Sequence, residues 1–305
     1  LVSINNLNIE ARTRAGTLKV VNDLSFTIKK SETLCVVGES GCGKSVTALS
    51  LMSLLPEGIL KVSSGDILFD NTNLAQLSEA ELEGIRGNEI SMIFQEPMTS
   101  LNPLFTVGEQ VSEVIRRHKN LNKEKAWASA VELLDAVKIP NPDKRAFDYP
   151  FQLSGGQRQR VMIAIALACQ PKILIADEPT TALDVTIQAE ILALINILKQ
   201  ETGTAVMFIT HDMAVVAQMA DRVVVMYQGK KVEEGTVHEI FNNPQHEYTK
   251  SLLAAVPKLG EMASKKYPEP MRLVGEKKTK ALKPSVGTNE PLLKVNNLVT
   301  RYPVK

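Results

Sequence analysis

With 305 residues, the chain is long enough for one large domain or two ordinary ones, and its hydrophobic content of 44% is ample for a buried core. Its formal net charge of +1 gives no reason to expect a nucleic-acid partner, which would require a clustered basic surface. No apolar run approaches the roughly 18 residues that a membrane-spanning helix needs, so we expect any membrane role to work through a partner. Three scattered cysteines without metal-ligand spacing, and an N-terminus without a leader-like pattern, favour a reducing cytoplasm.

The first half of the chain alternates between strand and helix patterns. Residues 1–9 and 24–28 alternate apolar and polar side chains, which predicts half-buried antiparallel strands of a small β-subdomain. The next elements expected are a buried strand at 33–37, a helix over 44–55, a strand at 66–69, a helix from Ser78 and a strand at 90–94. Helical patterns then dominate, with helices starting near Val107 and spanning about 123–137, and we interpret about 96–170 as an inserted helical subdomain.

The second half returns to strands separated by helices. Ser154 is well suited to cap a helix that runs to Cys169. The elements expected after it are a strand at 172–176, a helix at 185–201, strands at 204–210 and 222–227, and a hairpin turn at 228–229. This alternation predicts an α/β fold with a mainly parallel sheet and flanking helices. Ligands then belong at the carboxyl ends of the strands.

A glycine-rich run joins the strand at 33–37 to the following helix. It reads Gly38, Glu39, Ser40, Gly41, Cys42, Gly43, Lys44 and Ser45, which is the G-x-x-x-x-G-K-S pattern of a phosphate-binding loop. Its glycines allow a tight turn in which backbone N–H groups meet the positive end of the helix, which favours an anion. Lys44 would reach the β- and γ-phosphates and Ser45 would ligate Mg²⁺. The alternative for such a run is a glycine turn without a ligand.

Four further stretches bear polar groups at ends of predicted elements. Ser154, Gly155, Gly156 and Gln157 begin a helix, where they could bind a phosphate, although Ser-Gly-Gly alone reads as a loop. Asp177 and Glu178 end a buried strand, which suits one carboxylate to Mg²⁺ and the next to polarising a water molecule. Gln95 and His211 end two other strands. Each of these residues alone is more often a satisfied polar side chain, but their shared position at strand ends favours one site.

Taken together, these motifs resemble those of the ATP-binding-cassette (ABC) ATPases. The matches are the Walker A loop at 38–45, the Q-loop at Gln95, the LSGGQ signature at 153–157, Walker B at 173–177, the catalytic carboxylate Glu178, the D-loop at 182–184 and the switch histidine His211. The resemblance implies catalysis by Lys44, Glu178 and His211, and Mg²⁺ held by Ser45, Gln95 and Asp177. It also implies that ATP is sandwiched between the Walker A loop of one cassette and the signature of another.

Two longer stretches place the chain within one branch of the family. Residues 95–103 and 244–253 resemble the importers of dipeptides, oligopeptides and nickel. The restart of the pattern at Leu292 and the run 297–303 are most similar to the tandem ATP-binding subunits of glutathione importers. The implied partners are a second cassette in the same full-length chain or a homodimer, integral membrane permease subunits, and indirectly a substrate-binding protein, but no nucleic acid. The implied location is the cytoplasmic face of the inner membrane, with the chain bound peripherally. The alternatives are another peptide or nickel importer, a soluble tandem cassette that does not transport, and a regulatory nucleotide-binding module.

The pattern also predicts how the chain is divided. We expect a nucleotide-binding domain at 1–257, a linker or extension at 258–290, and the start of a second ABC domain at 291–305, because 292–298 repeats the pattern of 1–7 and shares Asn-Asn-Leu. Coincidence is the alternative for so short a repeat.

Two details of the loop region stand out. The family stacks adenine on an aromatic residue before the second strand, but 10–22 contains none, and Arg12 or Arg14 would have to stack instead of lying in a solvated loop. Cys42 precedes the helix that follows the loop, where the helix dipole should favour a reactive thiolate, with a shielded thiol as the alternative.

Overall fold

The computed structural model describes residues 1–14, 16–95, 100–181, 183–256, 291 and 293–301. It separates the chain into two compact units, Leu1–Leu253 and Ala254–Lys305. The expected linker at 258–290 lies outside the described residues, as do Leu292 and Tyr302 of the expected repeat. Residues 293–301 form neither helix nor strand, and the start of a second domain there stays a prediction.

The first unit contains ten strands within its described residues. In chain order they are β1 (Val2–Thr13), β2 (Gly16–Ile28), β3 (Thr33–Val37), β4 (Leu60–Phe69), β5 (Thr72–Asn73), β6 (Ile90–Ile93), β7 (Ile173–Asp177), β8 (Ala205–Thr210), β9 (Arg222–Tyr227) and β10 (Lys230–Thr236). An antiparallel sheet has the order β2-β1-β4-β5, and a larger sheet has the order β10-β9-β3-β8-β7-β6. Strands β9, β3, β8, β7 and β6 are parallel, and β10 adds an antiparallel edge. The predicted fold class is therefore confirmed.

Six of the ten helices in the described residues lie where the sequence pattern predicts them, and no helix had been specified at 142–145, 213–219, 237–242 or 247–254. The ten are α1 (Lys44–Leu51), α2 (Glu79–Ile85), α3 (Val107–Lys119), α4 (Lys123–Ala136), α5 (Pro142–Arg145), α6 (Gly155–Leu167), α7 (Val185–Thr202), α8 (Met213–Met219), α9 (Val237–Asn242) and α10 (Glu247–Ala254). No helix in the described ranges is long and apolar enough to cross a lipid bilayer.

The core explains the two kinds of strand pattern. Strands β3, β7 and β8 are buried along their whole length, as expected for strands covered on both faces. In β1 the buried side chains alternate with half-exposed ones, and Val2, Ile4, Leu7 and Ile9 face the core. One hydrophobic cluster joins this face to side chains of the larger sheet, including Leu34. The antiparallel subdomain is thus packed against the sheet that carries the site.

Four predicted boundaries were wrong. Strand β1 ends at Thr13 and not at residue 9, because its last residues pair with the start of β2. Strands β2 and β4 begin at Gly16 and Leu60, well before the predicted 24 and 66, because both pair with β1 along their exposed ends. Helix α1 ends at Leu51 instead of continuing to 55. There the backbone of Ser53 adopts a positive φ of 49°, and the N–H of Leu54 turns back to the carbonyl of Leu49 at 2.9 Å.

Candidate active site

The predicted site residues converge because their strands are parallel and in register. Val37 pairs with Thr210, Ile93 with Ala176, and Asp177 with Ile209, so four strands end at one edge of the sheet. The loop at 38–45 follows β3, Gln95 follows β6, Asp177 and Glu178 end β7, and His211 follows β8. This edge is where ligands bind in open α/β sheets.

The loop borders a small open cavity at this edge. Its volume is about 210 Å³, and its lining residues are Val20, Ser40, Gly41, Gly43, Lys44, Ser45, Val46, Gln95 and Glu178. Two glycines are required by geometry. Gly43 has φ of 100° where it caps α1, and a Cβ on Gly38, at φ of 153°, would lie 2.2 Å from the carbonyl oxygen of Met226.

Lys44 holds the loop together from inside. Its side chain is buried, with 5% of the residue exposed, and its Nζ donates to the carbonyls of Gly38 at 2.8 Å and Glu39 at 2.9 Å. Both acceptors are neutral backbone groups, so the charge of the ammonium has no counter-ion among them. Lys44 thus brings a positive charge to the wall of the cavity, which the carboxylate of Glu178 also lines, and its ammonium can exchange the two carbonyls for an anionic ligand.

Ser45 and Asp177 join the loop to the end of β7. The hydroxyl of Ser45 donates to Oδ1 of Asp177 at 3.1 Å. Burial raises the pKa of Asp177, and the neighbouring charge of Glu178 raises it further, although the Ser45 hydrogen bond acts in the opposite direction. A buried carboxylate of raised pKa beside a hydroxyl is a hard oxygen pair that a cation would stabilise. No cluster of three or more His, Cys, Asp or Glu side chains suited to a metal occurs in the described residues. This donor set suits Mg²⁺, which binds through one or two protein oxygens plus phosphate and water.

Three side chains hold the carboxylate of Glu178. Gln95 Nε2 donates to Oε2 at 3.1 Å, the Thr181 hydroxyl donates to the same oxygen at 2.9 Å, and His211 Nδ1 lies 3.1 Å from Oε1. Burial alone would raise the pKa of Glu178, but the hydrogen bonds of His211 and Thr181, with the charge of Lys44, lower it overall. Glu178 is therefore ionised at neutral pH.

The backbone at Glu178 is itself unusual. Its φ of 46° lies in the left-handed region that a non-glycine residue seldom adopts, and its N–H donates to the carbonyl of Ile209 at 3.0 Å. The chain thus turns sharply as it leaves β7 while remaining bonded to β8.

The signature residues form a well-capped helix start away from this cavity. The N–H of Gln157 donates to the Ser154 hydroxyl at 3.3 Å, and the N–H of Ser154 donates to Oε1 of Gln157 at 3.0 Å. Gly156 is packed against α7, since a Cβ there would lie 2.8 Å from Ile187. Neither Gly155 nor the others in 154–157 line the cavity beside Lys44.

The expectation of a reactive Cys42 thiolate was wrong. Cys42 is only 5% exposed, and burial raises the pKa of its thiol despite the nearby charge of Lys44, whose Nζ lies 3.8 Å from Sγ. A Cβ on Gly38 would approach Sγ to 2.8 Å, so the sulfur is packed under the loop. Desolvation therefore outweighs the helix dipole at this position.

Other expectations concern residues around the site. Arg12 and Arg14 are exposed at the β1–β2 end, and the cavity lining near them includes Val20 but neither arginine, so their stacking on adenine stays a prediction. Asp184 caps α7 by accepting from the N–H of Ile187 at 3.0 Å. Ala182 of the expected D-loop and residues 96–99 lie outside the described residues.

Sequence reasoning missed two side chains of the site. The hydroxyl of Thr181 donates to the carboxylate of Glu178. Its position three residues after Glu178 is the sequence signal that could have identified it. The hydroxyl of Tyr248, from α10, accepts a hydrogen bond from the loop N–H of Glu39 at 2.9 Å. A contact between residues so distant in sequence leaves no local pattern to find.

Comparisons with known proteins show which family the chain is similar to. A family model described as "ABC transporter" matches residues 21–181, and one described as "Oligopeptide/dipeptide transporter, C-terminal region" matches 232–284. The glutathione import ATP-binding protein GsiA is 51% identical over the whole chain in both Escherichia coli O157:H7 and E. coli strain K12. The chain spans about half the length of these curated relatives, 51% in each case.

Solved structures share the fold. The ATP-binding cassette MJ0796, in a dimeric post-hydrolysis state bound to ADP and Pi, is 30% identical with a TM-score of 0.70, over 78% of this chain and 99% of that one. The cbiO1 protein of Clostridium perfringens, part of the ABC transporter complex cbiONQ, is 29% identical with a TM-score of 0.66, over 79% of this chain and 90% of that one. With the family model covering more than half of its residues, the chain belongs to the ABC transporter family.

Proposed function

We propose that the chain is an ATP-binding and ATP-hydrolysing cassette that powers an importer of glutathione or short peptides. The observation that carries this proposal is the convergence of Lys44, Ser45, Gln95, Glu178 and His211 on one edge of the parallel sheet, beside a cavity of about 210 Å³. The names of relatives that are half identical to the chain support it.

The loop would bind the phosphates of ATP. The glycines at 38, 41 and 43 shape the backbone so that its N–H groups, with the N-terminus of α1, meet the anion. Lys44 Nζ would exchange the carbonyls of Gly38 and Glu39 for β- and γ-phosphate oxygens, because a charged acceptor binds an ammonium more strongly than a neutral carbonyl does. Ser40 and Cys42 would contribute loop backbone beside the phosphates, and Glu39, whose N–H donates to Tyr248, would contribute its position in the turn.

Mg²⁺ would be held by the Ser45 hydroxyl, a carboxylate oxygen of Asp177 and the amide oxygen of Gln95. When bound, Mg²⁺ would supply positive charge to the phosphate oxygens. The Ser45–Asp177 hydrogen bond already brings two of these donors together.

Glu178 would act as the general base. Its lowered pKa keeps it ionised, so it can accept a proton from a water molecule as that oxygen bonds to the γ-phosphorus and the bond to ADP breaks. His211 would orient the γ-phosphate and the water from beside the carboxylate, since its ring is 62% exposed and its Nδ1 lies 3.1 Å from Oε1 of Glu178. The protein forms no covalent bond in this scheme and contributes position and charge.

A second cassette would complete the site. Ser154, Gly155, Gly156 and Gln157 do not line the cavity beside Lys44, so we expect them to bind the nucleotide of a partner cassette, either in the same full-length chain or in a second copy. The dimeric state named for the MJ0796 cassette supports this arrangement.

The remaining partners follow from the importer function. The cassette would be bound peripherally at the cytoplasmic face of the inner membrane, in contact with integral permease subunits. ATP hydrolysis would drive the conformational change of these subunits, and a substrate-binding protein would be an indirect partner. The match of 232–284 to an oligopeptide and dipeptide transporter region favours a second candidate cargo, a dipeptide or oligopeptide, with nickel as a further possibility of that branch.

The test is the ATPase rate of the chain at increasing protein concentration, with Glu178→Gln as the blank and Glu57→Gln, an exposed glutamate outside the site, as the matched control. We expect ATP to bind to all three proteins and a specific rate that rises with concentration in the unsubstituted chain and in the control only. Hydrolysis that survives Glu178→Gln would contradict the assigned base.

A further inference from the structure

Tyr248 connects the C-terminal helix of the first unit to the phosphate loop. Its hydroxyl accepts a hydrogen bond from the backbone N–H of Glu39 at 2.9 Å, across a separation of 209 residues in the sequence. The residue is only 3% exposed, and its ring packs on that of Tyr227 with centroids 4.2 Å apart. Burial raises the pKa of Tyr248 to about 12, so the phenol stays neutral at physiological pH and keeps its role as acceptor.

The loop backbone makes few other hydrogen bonds to the rest of the described chain. The N–H of Gly229, in the β9–β10 turn, donates to the carbonyl of Cys42 at 3.2 Å, and Lys44 bonds the carbonyls of Gly38 and Glu39 from within. The bond from Glu39 to Tyr248 therefore fixes the first part of the loop from a residue that does not line the cavity.

Tyr248 is itself held rigidly on the sheet. Glu233 of β10 accepts from the N–H of Gln245 at 2.6 Å and from that of His246 at 3.1 Å, and the N–H of Tyr248 donates to Nδ1 of His246 at 3.1 Å. Any displacement of α10 that moves this segment would move the hydroxyl away from the loop.

We propose that Tyr248 is a positioning residue for the phosphate loop, and that it couples α10 to ATP binding. This inference rests on the proposed function, since it names a regulatory connection of the same site. Both Glu233 and Tyr248 fall within the matched C-terminal transporter region at 232–284. Coupling of this kind is reciprocal, so ATP binding stabilises the contact of α10 with the loop as much as that contact favours ATP.

The test compares Tyr248→Phe with Tyr227→Phe in the full chain. The second variant also loses a tyrosine hydroxyl from the same ring pair, but that hydroxyl contacts the exposed side chain of Gln228 and not the loop. Calorimetric titration with ATP and Mg²⁺ should show a Kd about three- to tenfold higher for Tyr248→Phe, which is what one net hydrogen bond provides, and less than a twofold change for Tyr227→Phe.

Hydrogen exchange supplies the readout that a merely structural role would not change. In the unsubstituted chain, ATP should slow exchange of the amides of α10, and in Tyr248→Phe this protection should be lost while the exchange of the Glu39 amide becomes faster. Glu233→Gln weakens the hydrogen bonds from the N–H groups of Gln245 and His246 and leaves the Tyr248 hydroxyl in place. It should also raise the Kd for ATP, and it replaces Tyr248→Phe if that variant does not fold.

Two results overturn the inference in different ways. An equal Kd for the unsubstituted chain and Tyr248→Phe, with ATP protection of α10 retained, removes Tyr248 from its positioning role and leaves the proposed ATPase function intact. Failure of the unsubstituted chain to bind ATP refutes the proposed function and the coupling with it.

Discussion

Replacing Gly38 by alanine should disable the loop while leaving the fold in place. A Cβ at Gly38 would lie 2.2 Å from the carbonyl oxygen of Met226, whereas real Cβ contacts are essentially never shorter than 3.0 Å, so the loop must shift by at least 0.8 Å (3.0 − 2.2). Met226 belongs to β9, which is hydrogen-bonded on both sides, to β10 and to β3, so the loop has to move and not the strand. A displacement of about 1 Å in a site that works by positioning costs about a hundredfold in rate.

Gly41→Ala is the matched control because it adds the same methyl group to the same loop. Gly41 also has a positive φ, at 80°, but nothing lies within 4 Å of its added Cβ. Gly41→Ala should cost only the free energy of placing a side chain in the left-handed backbone region, about 1–2 kcal/mol. This corresponds to a kcat/KM about five- to thirtyfold lower. The assay is kcat/KM for ATP hydrolysis with ATP titration, after circular dichroism has shown that both variants are folded. Equal activity of Gly38→Ala and Gly41→Ala would refute the reasoning from steric overlap.

Two further predictions concern side chains that the structure places around the loop and the base. Thr181→Val removes a hydrogen bond that lowers the pKa of Glu178. The pKa of Glu178 then rises, so the acid limb of the kcat/KM–pH profile should shift to higher pH. An acid limb at the same pH in both proteins would count against Glu178 as the group that titrates. Cys42 should react with a maleimide at least tenfold more slowly in the native chain than in urea at the same pH, because burial raises the pKa of its thiol and covers it. The rate is followed by mass spectrometry of the peptide that contains Cys42. Rates within twofold of each other would contradict the shielding, and a native rate above the unfolded one would indicate a thiolate of lowered pKa.

Much of the site was predictable because its residues end strands. A buried apolar run followed at once by a polar group marks the carboxyl end of a parallel strand, and Gln95, Asp177 and His211 all carry that mark. Parallel register then brings them together without any knowledge of side-chain contacts. The family of the chain and its fold class followed from the same few motifs.

The boundaries that failed depend on pairing and not on local pattern. The early part of β2 is exposed, and it becomes a strand because β1 lies beside it, with Ala11 opposite Leu18 and Arg12 opposite Thr17. Tyr248 shows the same limit at the site, since its partner Glu39 is fixed by tertiary packing alone. The helix-dipole argument for Cys42 failed because it counted a local field and not the burial that the fold imposes.

The left-handed turn at Glu178 determines what the two adjacent carboxylates can do. In a continuing strand, successive side chains point to opposite faces of the sheet, and one of the pair would face away from the loop. The positive φ interrupts this alternation immediately after Asp177, so one carboxylate meets Ser45 while the next lines the cavity beside Lys44. Grafting an Asp-Glu pair onto the end of another strand would therefore reproduce the composition of this site but not its function, unless the graft also carried the backbone turn that aims both acids at one ligand.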